Sequence, residues 1–218
     1  MTVSFRAAVE SDIPEAVELF LVSVADMYAR AGVKAQQPER SMILMNYQHI
    51  FRTGIFYVAE VDGALSAICH AIVRDRLWFL SGFWAHPRLQ GRGIGGQLLR
   101  LVTEEGARSG AQTFFTWSSI DLSAMATYMK MGMLPGYQIL TFTGQPLETF
   151  LERDPVLEVS PLSLSAAMEI DERVRETSRQ ADHRFWLTEA GYQGRQLVRD
   201  GRTLGYFYFN KGTIGPAA

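Results

Sequence analysis

The residues with the clearest chemical potential lie between Gln90 and Gly96, which read Gln-Gly-Arg-Gly-Ile-Gly-Gly. Glycines at 91, 93, 95 and 96 let the backbone turn sharply and approach a ligand with no Cβ in the way. An amphipathic pattern, with Leu98, Leu101 and Val102 on one face, follows at once, so the turn opens a helix from Gln97 onward. Unpaired N–H groups at a helix start point outward, and the helix dipole adds partial positive charge there. Such a turn fits phosphate oxygens. Arg92 adds charge at its rim. A second constellation, Asp121, Ala124 and Tyr128, falls near one face of a later helix. A tyrosine there is either a packing residue or a phenol presented to a ligand.

These residues need elements to position them. Residues 3–7 read as a strand. Asp12, Pro14 and Glu15 then read as a helix start with a capping box, and Val17, Phe20, Leu21 and Val24 give that helix an apolar face. The polar stretch 31–40 breaks the pattern, and 42–51 returns to helix. Asp62-Gly63 suits a tight turn between strands at 55–61 and 64–73. An apolar run at 77–85 leads to the glycine turn. A strand at 113–117, a helix from Asp121 to about Met131 closed by Gly132, and a strand at 137–143 complete the series. The order implies an α/β (α+β) domain built on one mixed central sheet. Asp154-Pro155 marks a boundary, giving domains over 1–150 and 156–218. Beyond it come a strand at 157–161, a helix at 164–179, a strand at 195–198, the turn Asp200-Gly201 and a strand at 204–209. This repeats the earlier strand, Asp-Gly, strand unit in element order.

Two motifs decide between ligands. Gly91, Gly93 and Gly96 match the dinucleotide pattern G-x-G-x-x-G, which should follow its strand closely and have an acid at the tip of the next strand. Here His86 to Gln90 intervene, and 116–119 reads Thr-Trp-Ser-Ser, without an acid. Gln90-x-x-Gly93-x-Gly95, after His86-Pro87 and before Leu98-Leu99, matches the pyrophosphate signature Q/R-x-x-G-x-G/A. Asp121-x-x-Ala124-x-x-x-Tyr128-x-x-x-Gly132-Met133 is similar to a second block, N-x-x-A-x-x-x-Y-x-x-x-G-F. With both in order, residues 3–145 resemble the GNAT acetyltransferase superfamily.

The resemblance implies a GNAT fold with acetyl-CoA as cosubstrate and an amine as acceptor. It implies that the backbone of Phe83, Trp84 and Ala85 pairs with the pantetheine arm where two strands splay apart. The N–H groups of Gln90, Gly91, Arg92, Gly93, Ile94, Gly95 and Gly96 would hold the pyrophosphate, with Asp121 in the same cofactor site. Tyr128 would stand beside the thioester sulfur as general acid: a phenol of pKa about 10 keeps its proton at neutral pH, and a departing thiolate needs one. Residues 156–218 resemble the opening of the second domain of tandem GNAT proteins. They hold no second pyrophosphate motif, so no cofactor site of their own is expected. An incomplete sheet leaves an edge to be covered, by the first domain or by another chain as in a homodimer.

The general base is not assigned by spacing. A lysine-like amine is neutral in only about one molecule in 2,500 at pH 7, so help is needed. Many GNAT enzymes carry a Glu on the strand before the glycine turn, whereas 77–85 has no acid. Glu60, His70, Asp75 and Asp121 are candidates of equal standing. Met27, Tyr28, Met42, Met45 and Tyr47 offer either acceptor contacts or ordinary core. A small-molecule amine leads as acceptor, ahead of a protein amine and of a non-catalytic acyl-CoA-binding role.

Composition narrows the classes further. A net charge of -2, with basic residues scattered among acids, does not suit nucleic acid. A single cysteine, Cys69, excludes intrachain disulfides and reads as a buried strand residue. His70 and His86 lack ligand-like neighbours, so no metal site is expected. The run Tyr206-Phe207-Tyr208-Phe209 reads as strand packing. Residues 1–12 lack a leader layout, and no apolar stretch is long enough to span a bilayer, so a cytoplasmic protein without membrane partners is expected.

Overall fold

The computed structural model describes residues 1–34, 38–140, 144–145, 156–210 and 213–218. They form two compact units, Met1–Gly136 and Tyr137–Ala218. In the first, strands β1 (Val3–Ala7), β2 (Ile55–Val61), β3 (Ala64–Arg74), β4 (Leu77–Ala85) and β5 (Thr113–Thr116) lie in that order. The first four pair antiparallel; β5 returns parallel to β4 after helix α3 (Ile94–Arg108). Asp62 and Gly63, at φ 51° and 83°, make the tight turn expected between β2 and β3.

Alternation along β3 distributes the two faces of this sheet. Ala67, Cys69 and Ala71 face α3, meeting Leu98, Leu99 and Val102. Ile68 lies in the opposite cluster, with Val58, Phe56, Tyr47, Ile13 and Val17. That face is covered by α1 (Ile13–Arg30) and α2 (Arg40–Thr53). Helix α4 (Leu122–Lys130) buries no residue fully and is capped as expected: Asp121 accepts from the Ser123 and Ala124 N–H groups at 2.8 and 3.1 Å.

Several expectations need correction. Asp12 precedes α1, but its carboxylate makes no capping box with Glu15. It accepts from the Val9 N–H at 2.7 Å and from Arg6 at 2.6 and 2.9 Å, because a 3₁₀ turn and β1 bring those donors closer. Helix α3 starts at Ile94, three residues before Gln97, since Gly95 and Gly96 take helical geometry despite their low propensity. Residues 137–140 are not in a strand, and Tyr137, Ile139 and Leu140 are exposed; 141–143 lie outside the described residues.

The second unit has the sheet β6 (Glu158–Pro161), β7 (Gln193–Arg199), β8 (Arg202–Asn210) and β9 (Thr213–Ala217), all antiparallel. The single helix expected over 164–179 is two: α5 (Leu164–Arg175) ends where Glu176 takes a left-handed φ of 52°, and α6 (Gln180–Thr188) follows. Strand β9 carries Gly215 and Pro216, residues of low strand propensity, which concealed it.

The repeat legible in element order extends to register. In β2–β3, Ser66 is an extra residue between the pairs Ala59–Ala67 and Glu60–Leu65; in β7–β8, Leu204 is extra between Leu197–Gly205 and Val198–Thr203. In β3–β4, His70 opposes both Ser81 and Gly82; in β8–β9, Tyr208 opposes both Gly215 and Pro216. Both bulges fall at equivalent places.

Beneath β8 lies a buried polar network. Asp171 accepts from Arg179 at 2.7 and 2.9 Å and from the Tyr206 hydroxyl at 2.6 Å, and it lies 2.9 Å from His183 Nε2. His183 Nδ1 lies 2.8 Å from the Tyr208 hydroxyl. Burial alone would raise the Asp171 carboxyl; its bonds to His183, Arg179 and Tyr206 outweigh that and hold it well below the usual range. Removing one partner strands the others without solvent. Asp171→Ala is therefore expected to destabilise the protein by about 3–5 kcal/mol, read from urea unfolding midpoints. A loss under about 1 kcal/mol would mean that water replaces the carboxylate.

Candidate functional site

The site begins with the bulge in β4. Because Ser81 and Gly82 together oppose His70, the strand bends there. β5 pairs with β4 only over residues 77–80, while β4 continues to Ala85. From Ser81 onward the edge of β4 facing β5 has no strand neighbour among the described residues. His70 shapes the bend: a Cβ on residue 82 would stand 2.2 Å from His70 Nε2, so only glycine fits. The imidazole is 1% exposed and lies between the rings of Tyr47 and Phe56, each at 4.7 Å. Its Nδ1 lies 2.8 Å from Ser81 Oγ. Burial pushes the imidazole down to about 3, so it is neutral at physiological pH.

The glycine turn follows through a 3₁₀ turn, Pro87–Leu89, whose Arg88 N–H donates to His86 Nδ1 at 3.3 Å. Gln90 folds back and donates to the Ala85 carbonyl at 3.1 Å; the Ser23 hydroxyl donates to the same oxygen at 3.2 Å. Gly93 caps α3 at φ 82°, a conformation costly for other residues. The start of α3 thus opens on the free stretch of β4.

Both features wall one cavity of about 430 Å³, a size ordinary for a small-molecule site. Every residue expected in the site borders it: Phe83, Trp84, Ala85, Gln90, Gly91, Arg92, Gly93, Ile94, Gly95, Gly96, Asp121 and Tyr128; of the second motif's other residues, Ala124 does so and Gly132 and Met133 do not. Tyr128 is partly buried, its ring 6.0 Å from that of Phe83. Burial, with smaller contributions from Cys69 and Asp121, raises its phenol above the ordinary value, so it keeps its proton. Asp121 has both oxygens engaged: Oδ1 caps α4, and Oδ2 accepts from Arg30 at 3.1 Å. Burial alone would raise its carboxyl; the Ala124 N–H, Arg30 and the Ser123 N–H outweigh this and hold it below the usual range.

The base candidates separate. Glu60 is bonded to Arg6 beside β1, and Asp75 sits in the turn between β3 and β4; neither borders the cavity. His70 reaches it only through Ser81. Of the apolar side chains read as acceptor contacts, Met27 lies in the wall, whereas Tyr28, Met42, Met45 and Tyr47 do not. Tyr47 is core, packed on His70. Sequence reasoning missed Ser23, Arg30, Ser81 and Thr116, all in the wall. Ser81 had one visible signal: Ser81-Gly82 interrupts an otherwise apolar strand.

The model of the acetyltransferase (GNAT) family matches residues 21–133, and the chain belongs to that family. Its mixed five-stranded sheet flanked by helices is the GNAT fold. No curated protein matches the sequence. Among solved structures, a protein assigned as an acetyltransferase from Pyrococcus horikoshii superposes with a TM-score of 0.74 at 16% identity, over 99% of this chain and 70% of that one. One assigned as an acetyltransferase from Clostridium acetobutylicum, solved with acetyl-CoA, gives 0.54 at 14% identity, over 65% and 96%. AAC(6′)-Iy in complex with the bisubstrate analog CoA-S-monomethyl-acetylneamine gives 0.51 at 15% identity, over 67% and 100%. At these identities the likeness is one of fold. No described helix is long and apolar enough to cross a membrane.

The buried imidazole predicts acid sensitivity. With a folded pKa near 3 against about 6.5 unfolded, His70 binds its proton more readily in the unfolded chain. Its contribution is therefore complete above about pH 6.5 and is lost as pH falls towards 3. At pH 4.5 the loss is about 2–3 kcal/mol. Unfolding midpoints of His70→Gln should show a slope between pH 7.5 and 4.5 shallower by about that amount; an unchanged slope would contradict burial of a neutral imidazole.

Proposed function

We propose that residues 1–136 bind acetyl-CoA in this cavity and transfer its acetyl group to the amine of a small molecule. The reading is carried by one observation: the free edge of β4 and the start of α3 wall the same cavity, with the Tyr128 phenol on that wall too. An extended pantetheine arm would lie along residues 81–85 like an added strand. Its amides would meet the backbone of Phe83 and Trp84, while the Ala85 carbonyl already has donors in Ser23 and Gln90. The pyrophosphate would rest on the N–H groups around Gly93 to Gly96, with Arg92 at the rim. Asp121 serves by capping α4 and anchoring Arg30 at the cavity wall. Attack of a neutral amine on the acetyl carbon expels a thiolate, to which Tyr128 gives its proton.

Residues 156–218 are assigned as a partial GNAT-like unit without a cofactor site. Its bulges repeat those of the first unit, and residues 156–218 hold no second Q/R-x-x-G-x-G/A motif. A small amine is favoured over a peptide by the cavity's ligand-scale volume. A soluble cytoplasmic setting accords with the cosubstrate.

Acetyl-CoA at a hundred times its dissociation constant should stabilise the protein by about 2.7 kcal/mol, visible as a thermal shift. Gly93→Glu should abolish the shift, by strain at positive φ and by repulsion of phosphate. A shift with NADH but none with acetyl-CoA would overturn the reading, and titration should give one acetyl-CoA per chain.

Tyr128→Phe removes one hydroxyl and keeps the ring. Turnover should fall about 10²-fold while acetyl-CoA affinity stays nearly constant. Wild-type turnover with a chemistry-limited acceptor would leave Tyr128 a packing residue.

A further inference from the structure

The geometry points to Ser81 as a locked hydrogen-bond acceptor that receives an N–H of the acceptor amine, with His70 as the residue that locks it. The assignment rests on the acetyl-transfer reading above and adds the residue that meets the amine.

A serine hydroxyl has one proton and two lone pairs. In Ser81 that proton is committed away from the cavity. If Nδ1 of His70 carries hydrogen, Nδ1 donates to Ser81 Oγ at 2.8 Å and the hydroxyl donates to the His70 carbonyl at 3.2 Å. If Nδ1 is bare, the hydroxyl donates to Nδ1 instead. In either tautomer the oxygen has a lone pair left and no proton to offer. Ser81 stands at the bulge, at the first position of β4 that β5 no longer covers, and it borders the cavity.

Two hydroxyls nearby are committed in the same way. The Ser23 hydroxyl donates to the Ala85 carbonyl, and Thr116 donates to the Leu80 carbonyl at 3.1 Å. Each therefore keeps only lone pairs for a ligand. Among the described residues the charged groups of the wall are Arg30, Arg92, Lys130 and Asp121, and the carboxylate of Asp121 has both oxygens engaged. An entering amine thus meets neutral acceptors rather than free carboxylates. This chemistry suits a neutral primary amine on a molecule without further cationic groups, and it disfavours a polycation.

The transfer then balances as follows. The neutral amine donates one N–H to Ser81 Oγ, which aims its lone pair at the acetyl carbon. The N–C bond forms, and the C–S bond breaks with its electron pair on sulfur. Tyr128 protonates the sulfur, the nitrogen loses one proton to solvent, and Tyr128 regains one from solvent. Ser81 keeps its own proton throughout. Ser81 touches substrate; His70 acts through it and is a positioning residue. The groups packed against His70 are Tyr47 from α2, Phe56 from β2, and Ser81 and Gly82 from β4, so no charged side chain is among these neighbours.

The test uses the full chain, acetyl-CoA, and three acceptors: hexylamine, 2-phenylethylamine and the polycation spermidine. CoA release is followed as free thiol, and acetyl-CoA affinity is measured by calorimetry. With the better monoamine, Ser81→Ala should lower kcat/KM about 10-fold at every pH between about 6 and 9, with the profile's shape preserved and acetyl-CoA affinity within about twofold of wild type. Ser81→Thr, which keeps a hydroxyl, should recover to within about threefold, and His70→Asn, which keeps a donor near Nδ1, should fall between the two. Both monoamines should exceed spermidine. Wild-type kcat/KM in Ser81→Ala, an equal loss of acetyl-CoA affinity, a changed pH profile, no recovery in a folded Ser81→Thr, or preference for spermidine would each overturn the assignment. A wild-type protein that binds acetyl-CoA but releases CoA to none of the amines would also overturn it. Failure to bind acetyl-CoA would instead bring down the functional reading itself.

Discussion

The bulge in β4 is the constraint on which the rest of the first unit depends. One residue of β3, His70, faces two of β4, and the imidazole fills the place where residue 82 would carry a side chain. A regular ladder would keep β4 straight beyond its pairing with β5. Instead the strand bends, pairing with β5 stops at residue 80, and five residues of β4 have one strand neighbour among the described residues. Unpaired strand edges are normally blunted, because they invite association. This one is kept by a buried polar group whose burial has a cost: His70 Nε2 has no hydrogen-bond partner among the described residues. A stability cost concentrated beside a cavity is what a functional site, rather than a packing accident, leads one to expect.

Much of the scaffold was legible because it obeys strong local rules. The run 77–85 and the Asp62-Gly63 hairpin appear where alternation and turn chemistry put them, and Gln90 to Gly96 and Tyr128 border a single cavity. What stayed hidden depended on contacts between distant residues. Asp12 looked like a cap by spacing, yet Arg6 across the turn holds its carboxylate. The break at Glu176 lies inside an amphipathic pattern and shows only in its left-handed backbone. Ser23, Ser81 and Thr116 are ordinary polar residues in sequence. They gain meaning only from their partners: main-chain carbonyls for Ser23 and Thr116, and the ring and carbonyl of His70 for Ser81.

The two units solve the same geometric problem with different chemistry. At the equivalent bulge, Tyr208 takes the place of His70, and Gly215 and Pro216 that of Ser81 and Gly82. The Tyr208 hydroxyl is tied to His183 and through it to Asp171 and Arg179, a bonded network where the first unit has a neutral ring whose Nε2 is unpaired among the described residues. Fully connected polar groups stiffen a core and present nothing to a ligand. A bulge residue without a side chain likewise offers no hydroxyl. The second unit therefore keeps the architecture of the bend without the groups that would make it useful, which supports its assignment as a unit without a cofactor site.

Locking hydroxyls has an energetic logic for a group-transfer site. A free serine rotates, and a ligand must stop that rotation when it binds; a serine whose proton is already engaged has lost it during folding. The oxygen then waits in one orientation and needs no reorganisation when the amine arrives. Neutral groups also suit the charge balance of the proposed reaction. A carboxylate beside the acetyl group would hold an ammonium tightly in its unreactive, protonated form, whereas a serine oxygen accepts from the neutral amine without favouring that charge. A committed hydroxyl at the amine's place thus trades affinity for the abundant protonated species against readiness for the rare reactive one.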